Sequence, residues 1–178
     1  MRVSAKADYA ARAAVELSTA TDKPMKADRI AEAQDIPAKF LETILLELKH
    51  AGIVRSQRGP DGGYTLARPP EEISVADVIR AVDGPLANVR GDRPENMEYV
   101  GAAAPLTDVW IAVRAALRDI LETTTLANLR DGQLPPRVAA LADDPEAWVS
   151  LGRIRGTGGS GTGRRRGRAQ PKVNSARS

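Results

Sequence analysis

The stretch AGIVRSQRGPDGGYTLARP, Ala51–Pro69, decides the fold. Up to Gly52 the apolar residues keep helical spacing; beyond it they alternate. Ile53–Gln57 and Tyr64–Ala67 read as two short strands. Between them, Arg58-Gly59-Pro60-Asp61-Gly62-Gly63 reads as a hairpin loop rich in turn formers. Pro69-Pro70 stops the second strand.

Working upstream, Phe40, Leu41, Ile44, Leu45 and Leu48 form the apolar face of a helix running to about His50, with Gly52 placed to end it. Pro37 stands at its start, where a missing N–H costs nothing. Asp35-Ile36 is a tight connection to a short helix of about Lys26–Gln34, whose Ile30 faces inward. Thr21–Pro24 separates that helix from a first one, Ser4–Thr19, with Ser4 as N-cap and Tyr9, Ala13 and Leu17 on one stripe.

Downstream, Ser74-Val75-Ala76-Asp77 predicts a helix start of the capping-box kind, with Asp in place of Glu. Val75, Val78, Ile79 and Val82 give its apolar face, and Gly84-Pro85 its stop. Residues 84–105 are irregular, a length that in a small domain marks function or disorder. Thr107 then caps a helix of about twenty residues, close to 30 Å long. Trp110, Val113, Leu117, Ile120/Leu121 and Thr124 line one face of it, and it weakens past Leu126 and Leu129. One more short helix is expected around Val138–Leu141. From Gly156 the chain is Gly, Ser, Thr and Arg, a composition that stays disordered. The expected fold is mainly α with a small β-hairpin: a winged helix–turn–helix domain plus a long dimerisation helix.

The formal charge of +3 is spread unevenly. Residues 1–68 hold eleven basic and nine acidic side chains, a net +2; residues 69–152 hold seven and fourteen, a net −7; residues 153–178 hold eight and none, a net +8. The middle segment does not suit a polyanion, and any basic face in the first must come from geometry. The tail can add sequence-independent DNA affinity by counterion release, although arginine enrichment throughout the chain is the plainer explanation.

Several function classes fall away. With 0 cysteines there are no disulfides, thiolate nucleophiles or thiolate metal ligands. No apolar run spans a bilayer, and Asp8 and Glu16 interrupt the N-terminal apolar stretch where a signal peptide would need continuity. A cytoplasmic protein follows. Gly156-x-Gly158-x-x-Gly161 copies a dinucleotide-binding string, but no strand precedes it and no helix follows. His50 is the sole histidine, at a helix C-terminus that favours its charge. Asp92, Glu95 and Glu98 are too loosely spaced for paired-carboxylate catalysis. No enzyme is expected, and no cofactor or metal.

The DNA-reading candidates follow from the helix pair and the hairpin. Lys39, Glu42 and Thr43 share the polar face of the third helix with Pro37 and Phe40 nearby. Lysine suits a guanine edge or a phosphate, glutamate a cytosine amino group, threonine a thymine methyl or a hydrogen bond. Arg58 at the wing base suits a narrow minor groove. Gly59, Gly62 and Gly63 permit close backbone approach and unusual dihedrals. Arg2, Ser4, Lys6, Tyr9 and Arg12 reach for phosphates from the first helix, with Tyr9 equally suited to the core edge.

These residues resemble a known family, the bacterial winged-helix regulators of the IscR/NsrR/CymR type, called redox-response-factor-two. The resemblance is carried by Ser4–Ala13, by Ile36–Leu41, by Ala51–Pro69, by ISVADVIRAVDG (Ile73–Gly84), and by Trp110 with TTLANL (Thr124–Leu129); it covers roughly residues 1–130. It implies a homodimeric transcription regulator whose third helix reads the major groove of a palindrome and whose wing arginine enters the minor groove. The long helices would pair through Trp110, Val113, Leu117, Ile120 and Leu121. On this basis residues 1–84 are the DNA-binding domain, 85–106 an irregular loop at the sensor position, 107–130 the dimerisation helix, 131–155 a C-terminal extension and 156–178 a disordered basic tail. Well-known members hold an iron–sulfur cluster with three cysteines before the long helix. Gly84–Pro105 has none, and Ala102-Ala103-Ala104 sits where the last would fall. Asp8 matches an acidic ligand position of some members, without thiolates beside it. The expected partners are double-stranded DNA and a second copy. Docking of a protein, such as a metabolic enzyme, on the acidic segment, and a small-molecule effector near residues 84–110, are the alternatives; Trp110 would then wall a pocket.

Overall fold

Ser4 starts the first helix, α1 (Ala5–Ser18), by accepting the Ala7 amide on its hydroxyl at 2.9 Å. The computed structural model describes residues 3–20 and 23–149. The buried face of α1 is made of Ala7, Ala10, Ala13 and Ala14 with Leu17. Small side chains let other backbones come close, and α2, α3, α4, α6 and the hairpin all pack on this helix.

Helix α2 (Ala27–Gln34) buries Ile30 and ends at Asp35, whose left-handed backbone (φ 50°) turns the chain so that the Ile36 amide reaches the Ala31 carbonyl at 2.9 Å. Pro37 follows with an extended ψ of 127°. It is the N-cap of α3 (Ala38–His50), one position before the helical start expected for it, and its carbonyl accepts from Phe40 and Leu41 at 2.9 and 3.0 Å. Leu41, Ile44, Leu45 and Leu48 of α3 are fully buried. Phe40, expected on that face, is 54% exposed. It lies about 100° round the helix from Leu41, outside the buried stripe.

Gly52 in the left-handed region (φ 71°) ends this helix, and β1 (Val54–Gln57) and β2 (Gly63–Leu66) pair antiparallel with Val54 opposite Leu66 and Gln57 opposite Gly63. The strands start one residue later and earlier, respectively, than their alternation suggests. Met25 bridges to Tyr64 through two backbone bonds of 2.9 and 2.8 Å, so the residue ahead of α2 acts as a third edge of the wing. Helix α4 (Val75–Asp83) has the full capping box: the Asp77 amide donates to Ser74 Oγ and the Ser74 amide to Asp77 Oδ2, both at 3.1 Å. Ala76, Val78 and Val82 are buried, whereas Val75 and Ile79 are half-buried.

The segment 84–105 is irregular as expected, but anchored. Leu86 and Pro94 are buried, and Val89 and Asp92 close a turn through Arg90 and Gly91, both at positive φ. The Arg93 backbone amide (2.7 Å) and the Asn96 side chain (2.9 Å) bind the Asp92 carboxylate and hold it below its usual pKa.

Helix α5 (Leu106–Leu121) departs from expectation twice. Its N-cap is Pro105, and Thr107 lies inside the first turn, donating its hydroxyl to the Met97 carbonyl at 3.0 Å. It also ends at Leu121, 16 residues on, rather than continuing towards 130. The chain then returns: Val75 donates to the Thr124 carbonyl and Leu126 to the Ile73 carbonyl, each at 2.9 Å. A separate helix, α6 (Leu126–Arg130), starts at a second capping box, Thr125 with Asn128, and buries Leu126 and Ala127 with α1. The threonine pair stops one helix and starts the next, so TTLANL belongs to the winged-helix core. Helix α7 (Pro136–Asp143) contains the expected Val138–Leu141, and its Arg137 pairs with Asp119 of α5. A separate unit begins at Pro145, of which residues 145–149 are described and contain a 3-10 turn.

Candidate nucleic-acid interface

The left-handed Asp35 and the extended Pro37 set α2 and α3 as a helix pair joined by three residues, leaving the N-terminal half of α3 outside. Pro37, Lys39, Glu42 and Thr43 are exposed there. Thr43 donates weakly to the Lys39 carbonyl at 3.3 Å, which leaves its methyl and lone pairs outward. The adjoining hairpin presents Arg58 immediately after β1, fully in solvent.

The wing glycines divide by role. Gly59 has a left-handed backbone (φ 111°) and open space where a Cβ would stand. Gly62 and Gly63 have none: a Cβ would lie 2.4 Å from the Gln57 carbonyl oxygen and 2.5 Å from that of Met25, respectively. These two close the loop and seat the hairpin on the Met25 bridge, whereas Gly59 is held by no such close approach.

The first-helix candidates also separate. Lys6 pairs with Glu47 of α3 at 3.2 Å, and both are one-third exposed. Ser4 spends its hydroxyl on the Ala7 amide and on Asp83, tying α1 to the end of α4. Tyr9 is half-buried with the Phe40 ring set edge-on at 6.3 Å and the Arg12 guanidinium 5.4 Å from its centroid. This Phe40–Tyr9–Arg12 row, absent from the sequence reading, joins α1 to the exposed half of α3; three residues on two helices leave no local pattern. Arg2 lies outside the described residues, as does the basic tail 156–178.

Cations without an ion pair stand on this surface. Lys26, Arg29, Lys39, Lys49, Arg55 and Arg58 make no ion pair with any described residue. Five of the arginines after residue 69 do: Arg80, Arg114, Arg118, Arg130 and Arg137. On the same elements Asp28, Glu32, Asp35, Glu42 and Asp61 also make no ion pair with any described residue, so the six cations stand among five carboxylates. Arg55, exposed on β1 beside the buried Val54, belongs to this set and was legible only in the strand's alternation.

The proposed dimer residues Trp110, Val113, Leu117, Ile120 and Leu121 are all half-buried within one chain. Trp110 Nε1 donates to the Tyr99 hydroxyl at 3.1 Å. With Val113, Leu117 and Leu121 it lines an apolar groove of about 740 Å³ shared with Ile79, Leu86 and Val89. On α5, Leu106, Val109 and Ile111 are 38%, 48% and 37% exposed, and no residue of the helix is buried.

These elements define a winged helix–turn–helix protein. The chain belongs to the Rrf2 family, whose model, described as iron-dependent transcriptional regulator, matches residues 3–132. It is 53% identical over 151 residues to "Putative HTH-type transcriptional regulator Rv1287" of Mycobacterium tuberculosis, covering 84% of this chain and 94% of that one. It is 32% identical over 130 residues to the HTH-type transcriptional regulator CymR of Bacillus subtilis, covering 72% and 89%. The structure of that protein, the global cysteine regulator, superposes with a TM-score of 0.63 at 30% identity over 74% of this chain and 98% of that one. The T. potens IscR structure gives 0.59 at 29% identity over 85% and 94%. The protein is thus a DNA-binding transcriptional regulator.

The family's description invokes iron, and the donor set here does not fit a cluster. The chain has 0 cysteines and its sole histidine, His50, ends α3. In the loop at the sensor position, Asp92 is committed to Arg93 and Asn96, and Glu95 to Arg114. Among the described residues no three histidine, cysteine or carboxylate side chains group as metal ligands would.

Proposed function

We propose that the protein is a homodimeric repressor, acting in the cytoplasm on a palindromic operator without an iron–sulfur cluster. The N-terminal half of α3 enters the major groove with Lys39, Glu42 and Thr43, and Arg58 of the wing enters the adjoining minor groove. The unpaired cations on α2, α3 and the wing carry this reading, since the rest of the chain neutralises most of its arginines internally. A 16-residue helix without one buried side chain supports pairing of α5 with its counterpart in a second copy. Half-sites about one helical turn apart follow from such a dimer.

Fluorescence anisotropy against genomic fragments, chosen by occupancy mapping in cells, tests the assignment. Specific binding weakens in Arg58→Ala and Thr43→Ala; unchanged binding in both would overturn the site.

The second reading places an effector near residues 84–110. The groove beside Trp110 favours it, because its size falls in the range of small-molecule sites.

A further inference from the structure

Arg80 of α4, Arg93 of the connecting loop, and Arg114 and Arg118 of α5 converge on one cavity of about 470 Å³. Four of the seven arginines in the acidic segment 69–152 thus face a single space. The carboxylates that answer them are too few. Glu95 takes Arg114, and Glu122 is shared between Arg80 and Arg118. Asp77 stands 3.9 Å from Arg80 through Oδ1, while its Oδ2 accepts from the Ser74 amide and lies 3.9 Å from Arg68. Arg93 has no carboxylate within ion-pair distance among the described residues, since Asp92 binds its backbone rather than its guanidinium. Glu95 lines the cavity, Glu122 pairs with two of its arginines from outside the lining, and the two are 42% and 43% exposed, so neither is locked in by burial.

We propose that this cavity binds a small multiply charged oxyanion, a metabolite bearing phosphate or several carboxylates. Planar guanidinium forks suit such groups bidentately, and the anion replaces Glu95 and Glu122 as the common partner of the four arginines. The volume suits a small metabolite. Three separate pieces of chain supply the cations. Helix α4 packs on α1 and α3, and α5 meets the winged helix through α4. A ligand that draws Arg80 towards Arg114 and Arg118 therefore fixes the angle between the DNA-reading part and the arm. This deepens the effector reading, and its regulatory half rests on the dimeric repressor proposed above.

The test titrates inorganic pyrophosphate and citrate into the full chain by calorimetry at fixed ionic strength, with chloride as control. Saturable binding of one probe per chain is expected, weakened at least tenfold in Arg93→Ala/Arg118→Ala, whose thermal melt verifies that it folds. Preference for pyrophosphate assigns a phosphate ligand, and preference for citrate a polycarboxylate. Heats no different from chloride, or equal binding by the folded double variant, overturn the site. Saturating the preferred probe is expected to change operator affinity at least fivefold in the parent chain; an anion that binds but leaves operator affinity unmoved overturns its regulatory role. These readouts separate the two proposals, because anion binding is measured without DNA and operator binding without anion.

Discussion

Gly63 shows how much of the wing is decided by a single missing methyl. A Cβ there meets the carbonyl oxygen and carbon of Met25 at 2.5 and 2.7 Å, both backbone, so no side chain can yield. Gly63→Ala is expected to cost about 1–3 kcal/mol and lower the melting temperature by several degrees, read by circular dichroism. Arg58 is the opposite case: it is exposed and makes no ion pair with any described residue, so Arg58→Ala is expected to leave the melt unchanged. It should weaken operator binding by about 1–3 kcal/mol, read by anisotropy. Both residues were visible in the sequence as one glycine-rich loop with an arginine at its base. Their division of labour was not, because Met25 lies 38 residues upstream of Gly63 and its bridge to Tyr64 has no local signature. The same holds for Lys6, whose pairing with Glu47 turns a candidate phosphate contact into a strut between α1 and α3.

Helices α1 to α4 and the hairpin were legible to within a residue or two, since caps, glycines and apolar spacing agree in each. The stretch 107–130 was not. Leu117, Leu121 and Thr124 keep one stripe and Leu126 stands about 140° round from Leu121, so the pattern weakens there, but no Gly or Pro in residues 117–131 marks a chain reversal. The break lies in Thr123-Thr124-Thr125. Thr123 and Thr124 hydroxyls bond back to Asp119 and Ile120 carbonyls, closing α5, while Thr125 caps α6. Because Leu126 is wholly buried in the winged-helix core, Leu126→Ala is expected to destabilise the DNA-binding part by about 2–5 kcal/mol in denaturant melts. Were residues 107–130 a continuous arm outside that core, the loss would fall on dimerisation and leave the melt untouched. Thr125→Ala should cost about 1 kcal/mol by the same measure.

At the scale of the molecule, the arginines are sorted: those on α4 to α7 are paired, while the cations of α2, α3 and the wing are not. Helix α5 exposes Leu106, Val109 and Ile111. Ile111→Asp places a carboxylate on that helix at a 37%-exposed apolar position. It is expected to yield monomers in sedimentation and to weaken operator binding, with the monomer still folded. Deleting residues 156–178 removes six basic side chains. The salt dependence of non-specific binding should flatten while the preferred sequence stays the same.

The backbone bonds joining Ile73 and Val75 to Thr124 and Leu126 fasten the two ends of a fifty-residue excursion side by side. The reader of DNA is thereby finished only after the chain has travelled out and come home. Of what lies between these stitches, α4 belongs to the core, burying Ala76, Val78 and Val82 against α1 and α3, and residues 84–121 form the excursion proper. A change of length in the loop ahead of α5 is therefore expected to leave the two stitched ends, and the core they close, in register.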